Sequence, residues 1–242
     1  MSEPLKSYPL TDAEAVIQLH TKRGDKTETI QHKLRRPTLA ELIEREQQSV
    51  AEIEEIAPNE DSWTEDSQAA NGKLWDKCIL GVTGYRIGGQ LATDFVAVSP
   101  ETAAKIPLAH KATAISGLYV SKCTVDAGEE EGFSLDGDTY TIRQAIGAGD
   151  EPDFVVLHTL KAPTEGQLRD YNKRASTATS VSGSRKRKIR VRTNLKADVE
   201  LYDALAVTIF GATPPEPRMV DPIFKRQAVQ TLIASLNASL LD

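Results

Sequence analysis

The chain has 242 residues, of which 40% are hydrophobic, 26% charged and 5% aromatic, and its formal net charge is −6. This length suffices for one large domain or two small ones, and the few aromatic residues leave a core of Leu, Ile, Val and Ala. The negative net charge argues against a protein that binds nucleic acid with its whole surface. No apolar run reaches 18 residues and residues 1–12 contain no apolar signal-peptide core, so we expect neither a membrane span nor secretion.

The first predicted elements are two strands, 15–21 and 28–34, joined by a polar turn at 22–26. Their alternating apolar residues and the Gly24-Asp25 pair predict a β-hairpin. Three helices follow. Thr38 and Glu41 form a Thr-x-x-Glu capping box at the start of the first helix. The predicted helices span 39–56, 72–82 and 107–120, with Pro107 in the first turn of the third.

The segment 122–138 is rich in Glu, Gly and Asp, and we interpret it as a linker centred on Glu129–Gly132. After it the same order of elements is predicted again. The second set has strands at 139–145 and 154–160, joined through Gly149-Asp150, and helices at 165–175, 195–209 and 222–240.

Similar residues recur in both halves at a nearly constant spacing. The pairs are His32/His158, Leu34/Leu160, Pro37/Pro163 and Leu42/Leu168 at 126 residues, Trp75/Tyr202, Asp76/Asp203 and Gly84/Gly211 at 127, and Pro107/Pro222 at 115. We therefore predict an α+β fold with internal duplication of a β-hairpin plus three-helix unit. Its repeat units are 1–121 and 139–242, related by a pseudo-twofold axis. The two hairpins either join into one four-stranded sheet or pack separately on their own helices.

The two halves differ most between their first and second helices, where the charges are opposite. Residues 52–66 hold seven acids and no base, and we call them the acidic segment. Its acids are Glu52, Glu54, Glu55, Glu60, Asp61, Glu65 and Asp66. Residues 176–196 hold seven bases and no acid, and we call them the basic segment. Its bases are Arg185, Lys186, Arg187, Lys188, Arg190, Arg192 and Lys196.

Three interpretations of these segments remain open from the sequence. In the first, both segments are solvated loops. In the second, the acidic segment of one subunit pairs with the basic segment of a neighbour. In the third, the basic part at 185–192 contacts nucleic acid. Head-to-tail pairing of unlike surfaces would build rings or filaments. The alternation at 188–192 is typical of an exposed strand, and the segment lacks aromatic residues that would stack on bases.

We find no motif for catalysis, a cofactor or a metal, and predict a protein that is not an enzyme. His32 and His158 are interpreted as structural, and the first hairpin could bring His20 and His32 to opposite positions. Asp76 and Asp203 are interpreted as caps or partners of nearby Lys and Arg. Cys78 and Cys123 lie outside any CxxC pair and are expected to be buried thiols, with a disulfide left open.

The stretch KLRRPTLAELIEREQ resembles tail-assembly proteins of tailed phages and prophages. The similar part is Leu34-Arg35-Arg36-Pro37-Thr38 followed by a helix, echoed at 160–164. The resemblance implies a tail assembly chaperone or a minor virion structural protein of a tail, neck or baseplate, without catalytic residues. A duplicated chain differs from the usual tail assembly chaperone. Duplication would suit a virion component that connects parts of the particle with different symmetries.

The predicted function is that of a structural or assembly protein of a phage or phage-tail-like particle. Its partners are other copies of itself or other particle proteins, and it is expected in the host cytoplasm during assembly and in the virion. A nucleic-acid-associated binding module is the alternative, and an enzyme without a recognisable motif is the third. The last helix, with an apolar stripe from Ile223 to Leu241, is a further candidate contact.

Overall fold

A computed structural model of the protein describes residues 7–10, 13–23, 26–57, 60–126, 138–147, 152–181 and 188–238. Within 50–66 and 176–193 it describes the backbone alone. The predicted turns at Gly24-Asp25 and Gly149-Asp150, and the centre of the predicted linker, lie outside the described residues.

The fold is α+β, as the sequence predicts. The strands are β1 Tyr8–Pro9, β2 Glu14–Arg23, β3 Lys26–Arg35, β4 Val50–Ala57, β5 Glu60–Asp66, β6 Ile79–Thr83, β7 Arg86–Ile87, β8 Gln90–Leu91, β9 Ser121–Asp126, β10 Thr139–Ile146, β11 Phe154–Lys161, β12 Ser176–Val181, β13 Lys188–Thr193, β14 Ala206–Phe210 and β15 Ala212–Thr213. The α-helices are α1 Leu39–Gln48, α2 Gln68–Cys78, α3 Pro100–Lys105, α4 Leu108–Gly117, α5 Glu165–Ala175, α6 Leu195–Leu205 and α7 Pro222–Ala238.

The chain divides into two compact units whose bounds differ from the predicted repeat units. The N-terminal unit comprises residues 12–118 and 178–192, and the C-terminal unit comprises residues 1–11, 119–177 and 193–242. Strand β9 pairs with β10, so the start of the predicted linker is part of a sheet. The internal duplication and its pseudo-twofold axis stay predictions.

The N-terminal unit contains a three-stranded antiparallel sheet in the order β2-β3-β6. Ile30, His32 and Leu34 are buried and alternate with more exposed residues along β3, as expected of a strand with one face on the core. Trp75 of α2 is fully buried. The β2–β3 register places His20 opposite Thr29, so the prediction that His20 faces His32 is wrong.

The C-terminal unit contains a four-stranded antiparallel sheet in the order β14-β11-β10-β9. Its core includes Ile142 and Leu160 from the sheet, Tyr202 from α6, and Phe224 and Leu232 from α7. Because the two predicted hairpins lie in different sheets, the alternative that joined them into one four-stranded sheet is wrong.

The second helix of each half ends earlier than predicted and is followed directly by a strand. Helix α2 ends at Cys78 and α6 ends at Leu205, and the capping residues Ile79 and Ala206 are extended. The strands that follow, β6 and β14, are rich in β-branched residues, which favour a sheet when a neighbouring strand is available. The sequence periodicity had assigned these residues to the helices.

The first helix of the N-terminal half is also shorter than predicted. It ends at Gln48 and strand β4 starts at Val50, because Ser49 is an extended C-cap. In the other half, α5 matches the predicted range of 165–175. Helices α4 and α7 match the predicted third helices to within a few described residues.

In each of the two main sheets, one glycine lies close to the backbone of a neighbouring strand. Gly84 has φ +81° and Gly211 has φ +80°, a left-handed conformation that favours glycine. A Cβ at Gly84 would overlap the carbonyl oxygen of Thr29, and a Cβ at Gly211 would overlap that of Val155. These contacts explain why each sheet needs glycine directly after its edge strand.

The last helices of the two halves correspond with a shift of one residue from the predicted alignment. Lys111 N–H donates to Pro107 O at 3.2 Å, and Lys225 N–H donates to Asp221 O at 3.0 Å. Pro107 is the N-cap of α4, whereas Pro222 is the first residue of α7, so the predicted pair occupies helix positions that differ by one residue. Proline is accepted at both positions because neither needs an N–H donor for the helix.

The capping boxes of α1 and α5 lead to a stability prediction. Glu41 N–H donates to Thr38 Oγ1 at 3.3 Å, and Gln167 N–H donates to Thr164 Oγ1 at the same distance. We expect Thr38→Ala and Thr164→Ala each to lower the free energy of unfolding by about 1 kcal/mol, because one helical N–H loses its acceptor. Urea denaturation measures the loss, and Thr→Ser at each position is the control that keeps the hydroxyl. An equal loss in the Ser variants would contradict the capping explanation.

Candidate assembly surface

The two charged segments each contain a two-stranded sheet that is separate from the main sheets. In the acidic segment β4 and β5 are antiparallel, with Ile53 opposite Trp63 and Glu52 opposite Thr64. In the basic segment β12 pairs with β13, which includes the predicted strand at 188–192. Arg185, Lys186 and Arg187 lie outside the described residues. The interpretation of these segments as loops is therefore wrong for their described backbone.

The acidic segment is held between α1 and α2, which are joined by polar contacts. Arg45 Nε donates to Asn71 Oδ1 at 2.8 Å, and Lys77 Nζ lies 2.7 Å from Glu44 Oε2. The Lys77 ammonium lowers the pKa of the Glu44 carboxyl. Asn71 is buried, so its hydrogen bond to Arg45 satisfies a side chain that water does not reach.

The basic segment is held between α5 and α6 by a corresponding set of contacts. Arg174 forms an ion pair with Glu200, and Asn194 Nδ2 donates to the Arg174 carbonyl at 3.1 Å. Asn194 is also the N-cap of α6, because its Oδ1 accepts from Ala197 N–H at 3.3 Å. The strand β13 therefore leads directly into a capped helix.

Asp198 of α6 is the centre of a buried ionic cluster. It accepts from Tyr171 Oη at Oδ1 and from Arg226 Nε at Oδ2, both at 2.8 Å. Asp198 is 1% exposed. Burial, followed by the Asp198 carboxylate, raises the pKa of the Tyr171 hydroxyl. The cluster joins α5, α6 and α7, so it fixes the helices on either side of the basic segment.

The two aspartates interpreted as caps or partners of bases form ion pairs with lysines. Asp76 Oδ1 lies 2.6 Å from Lys111 Nζ, and Asp203 Oδ1 lies 2.6 Å from Lys225 Nζ. Each lysine also contacts the face of an aromatic ring, at 4.8 Å from the Trp75 centroid and 5.4 Å from the Tyr202 centroid. The prediction that these aspartates are partners of nearby bases is confirmed.

His32 belongs to a chain of hydrogen bonds inside the N-terminal unit. Trp75 Nε1 donates to His32 Nδ1 at 2.8 Å, so Nδ1 has no proton and Nε2 carries it in the neutral ring. His32 Nε2 lies 2.9 Å from Tyr85 Oη, which in turn lies 3.0 Å from His110 Nδ1. Burial, with a smaller contribution from His110, lowers the pKa of His32 to about 4.

His158 occupies the same place in the C-terminal unit with different neighbours. Gln144 Oε1 lies 3.1 Å from His158 Nε2, and Tyr202 Oη lies 2.8 Å from Nδ1. Gln144 Oε1 only accepts, so Nε2 carries the proton and Nδ1 accepts from the tyrosine. Burial lowers the pKa of His158 to about 4. Both histidines are therefore neutral, fully satisfied core residues, consistent with their structural interpretation.

Both cysteines are free, so the disulfide left open by the sequence is not formed. Burial raises the pKa of Cys78 and of Cys123 to about 11, which keeps both as thiols at neutral pH. Among the described residues, no group of three or more His, Cys, Asp and Glu is placed to hold a metal ion. In the same part of the chain, no helix combines the length and apolar character needed to cross a membrane.

An apolar sheet edge is a feature that the sequence analysis missed. Strand β14 is an edge strand, and its Val207 and Phe210 are exposed, Phe210 at 73%. In the N-terminal unit the corresponding edge strand β6 is covered at Val82, which pairs with Val96. The β-branched run before Gly211 was the available signal, but it was assigned to a helix. An exposed edge strand can pair with another chain.

No protein-family model, curated protein or solved structure matches this chain.

Proposed function

We propose that the protein is a non-enzymatic assembly protein of a phage or phage-tail-like particle, which contacts neighbouring subunits through its acidic and basic segments. The particle class rests on the resemblance of the Leu34–Thr38 motif to tail-assembly proteins. The role in assembly is supported chiefly by one observation: oppositely charged segments form separate two-stranded sheets at corresponding places between helices.

A lone two-stranded sheet is only marginally stable in water, and its outer edges offer unpaired backbone groups to another chain. The basic segment contains no acid and the acidic segment no base, so each repels its own kind and attracts the other. A contact between unlike surfaces of two copies is heterologous, and repeating it builds a ring or a filament. The ion-paired helices on either side would hold each segment in place for this contact.

Reversing the charge of the basic segment tests this proposal. We expect Arg185→Glu, Lys186→Glu, Arg187→Glu and Lys188→Glu together to lower the assembled mass towards that of the monomer, because like charges would then face each other. Size-exclusion chromatography with light scattering at low and high salt measures the mass, since salt screens charge pairing.

Two further variants make the result specific. The matched control is Arg86→Glu, Lys105→Glu, Arg143→Glu and Lys161→Glu, which changes the net charge equally at exposed bases elsewhere. A compensating variant, with Glu52, Glu54, Glu55 and Asp61 each changed to Lys, should restore assembly when combined with the reversed basic segment. Unchanged mass in the reversed variant would contradict the proposal.

Nucleic-acid binding by the basic segment is the alternative function, and the same variants distinguish it. Phosphate contacts would give a salt-dependent shift of a DNA fragment that the reversed basic segment abolishes and the control retains. Such a shift, together with an unchanged protein mass, would favour the alternative.

A further inference from the structure

Residues 7–10 form an N-terminal arm that packs within the C-terminal unit. Tyr8 N–H donates to Gly211 O and Leu10 N–H donates to Thr213 O, both at 2.8 Å, in a parallel pairing of β1 with β15. Ser7 Oγ lies 2.6 Å from Thr213 Oγ1. The arm is therefore attached by backbone and side-chain hydrogen bonds along its length.

The Tyr8 side chain is the anchor of the arm. It is 5% exposed, and its ring meets those of Phe154 and Phe224 edge-on, with centroids 5.3 and 5.6 Å apart. Edge-to-face aromatic contacts add to the free energy of burial. Tyr8 therefore belongs to the core of the C-terminal unit, whose other buried residues begin at Ile142.

The N-terminal unit has a longer connection between its edge strand and its last helix than the C-terminal unit has. The connection between its edge strand and last helix spans residues 84–107, and in it Gly84 N–H donates to Ala92 O while Ala92 N–H donates to Tyr85 O, both at 2.8 Å. The C-terminal connection spans only residues 211–221. Within this shorter connection, β15 pairs with the arm.

We propose that the arm is exchangeable, and that the arm of one copy docks on β15 of a second copy of this chain. A docked arm makes the same hydrogen bonds and ring contacts whether it belongs to the same copy or to a second copy. The two arrangements therefore differ only in the effective concentration of the arm at β15. In the sequence only Thr11 separates the arm from the first residue of the N-terminal unit, and short connections favour such exchange between copies.

Each copy has one arm and one acceptor strand, so the contact is head to tail. Repetition closes a ring or extends a filament, as in the proposed assembly role, on which this inference rests. It adds a second contact to that of the charged segments, with an apolar anchor in place of ionic pairs. Arm exchange should therefore resist salt concentrations that weaken the charged contact.

Cysteine cross-linking tests the exchange directly. One chain carries Ser7→Cys and a differently tagged chain carries Thr213→Cys, and the two are refolded together and oxidised. The introduced thiols can meet only when the arm of one chain docks on the other. The control pair replaces Thr213→Cys with Lys105→Cys, at an exposed position in another unit. We expect the 7–213 heterodimer to exceed the 7–105 heterodimer by about tenfold or more.

A single chain with both Ser7→Cys and Thr213→Cys decides the remaining outcomes. Peptide mapping identifies the bonded positions and separates them from Cys78 and Cys123. A bond formed only within one chain, without excess heterodimer in the mixed sample, would overturn exchange. No 7–213 bond in any sample would also overturn it, because the arm would then not dock on β15. Either failure leaves the proposed function to be judged separately by the charge-reversal masses.

Discussion

Acidification from pH 7 to pH 4 is expected to remove about 3 kcal/mol of stability for each of His32 and His158. The folded protein holds the pKa of both rings at about 4, and the ordinary value in the unfolded chain is 6.5. One pKa unit corresponds to about 1.4 kcal/mol, so the two sites together are large relative to the total stability of a typical domain.

The direction follows from proton uptake. Between pH 6.5 and 4 the unfolded chain binds protons at both histidines while the folded chain does not, so unfolding is favoured as the pH falls. This contribution is fully present above pH 6.5 and is lost on approach to pH 4. Protonation of His32 Nδ1 would oppose the Trp75 N–H that donates to it, and protonation of His158 would place a charge in a buried site.

Urea denaturation at several pH values between 8 and 4, followed by tryptophan fluorescence and circular dichroism, measures this dependence. We expect His32→Gln and His158→Gln each to remove about one proton from the uptake on unfolding. His20→Gln is the matched substitution at a histidine whose side chain is exposed on β2. If the free energy of unfolding depends on pH equally in all three variants, the buried histidines do not cause the acid sensitivity.

Replacing Asp198 with Ala is expected to lower the free energy of unfolding by about 3–5 kcal/mol. The change leaves Arg226 without the carboxylate that accepts from its Nε, and Tyr171 Oη without its acceptor. A buried ion pair with one partner removed costs far more than the intact pair contributes, because the remaining charge is left in a poorly solvated site. Chemical denaturation of the purified variant measures the loss.

The corresponding residue of the N-terminal half provides a matched control. Asn71 accepts from Arg45 Nε at 2.8 Å but is neutral, so Asn71→Ala should cost only about 1–3 kcal/mol. A double variant of Asp198→Asn and Arg226→Gln should recover part of the Asp198→Ala loss, since it leaves no lone buried charge. Equal losses at Asp198 and Asn71 would contradict the ionic explanation.

The charged segments show the limit of sequence reasoning for the candidate site. Composition alone revealed their opposite charges, because an acid or base can be counted without knowing its neighbours. The sequence predicts a helix up to residue 56 and a strand at 188–192, whereas the structure has two strands in each segment. Their proposed pairing involves another copy, so it depends on geometry between chains that the sequence of one chain does not give.

Local signals in the sequence determined the two hairpins, the capped starts of α1 and α5, and the recurring order of elements, because alternation and capping depend on residues close together in the chain. Tertiary structure alone decided that β6 and β14 are strands, that β9 joins the second sheet, and that Tyr8 completes the core of the C-terminal unit. These elements are stabilised by pairing with residues distant in sequence. The apolar periodicity of each short segment is compatible with a helix or with a strand. Pairing with an available sheet edge favours the strand.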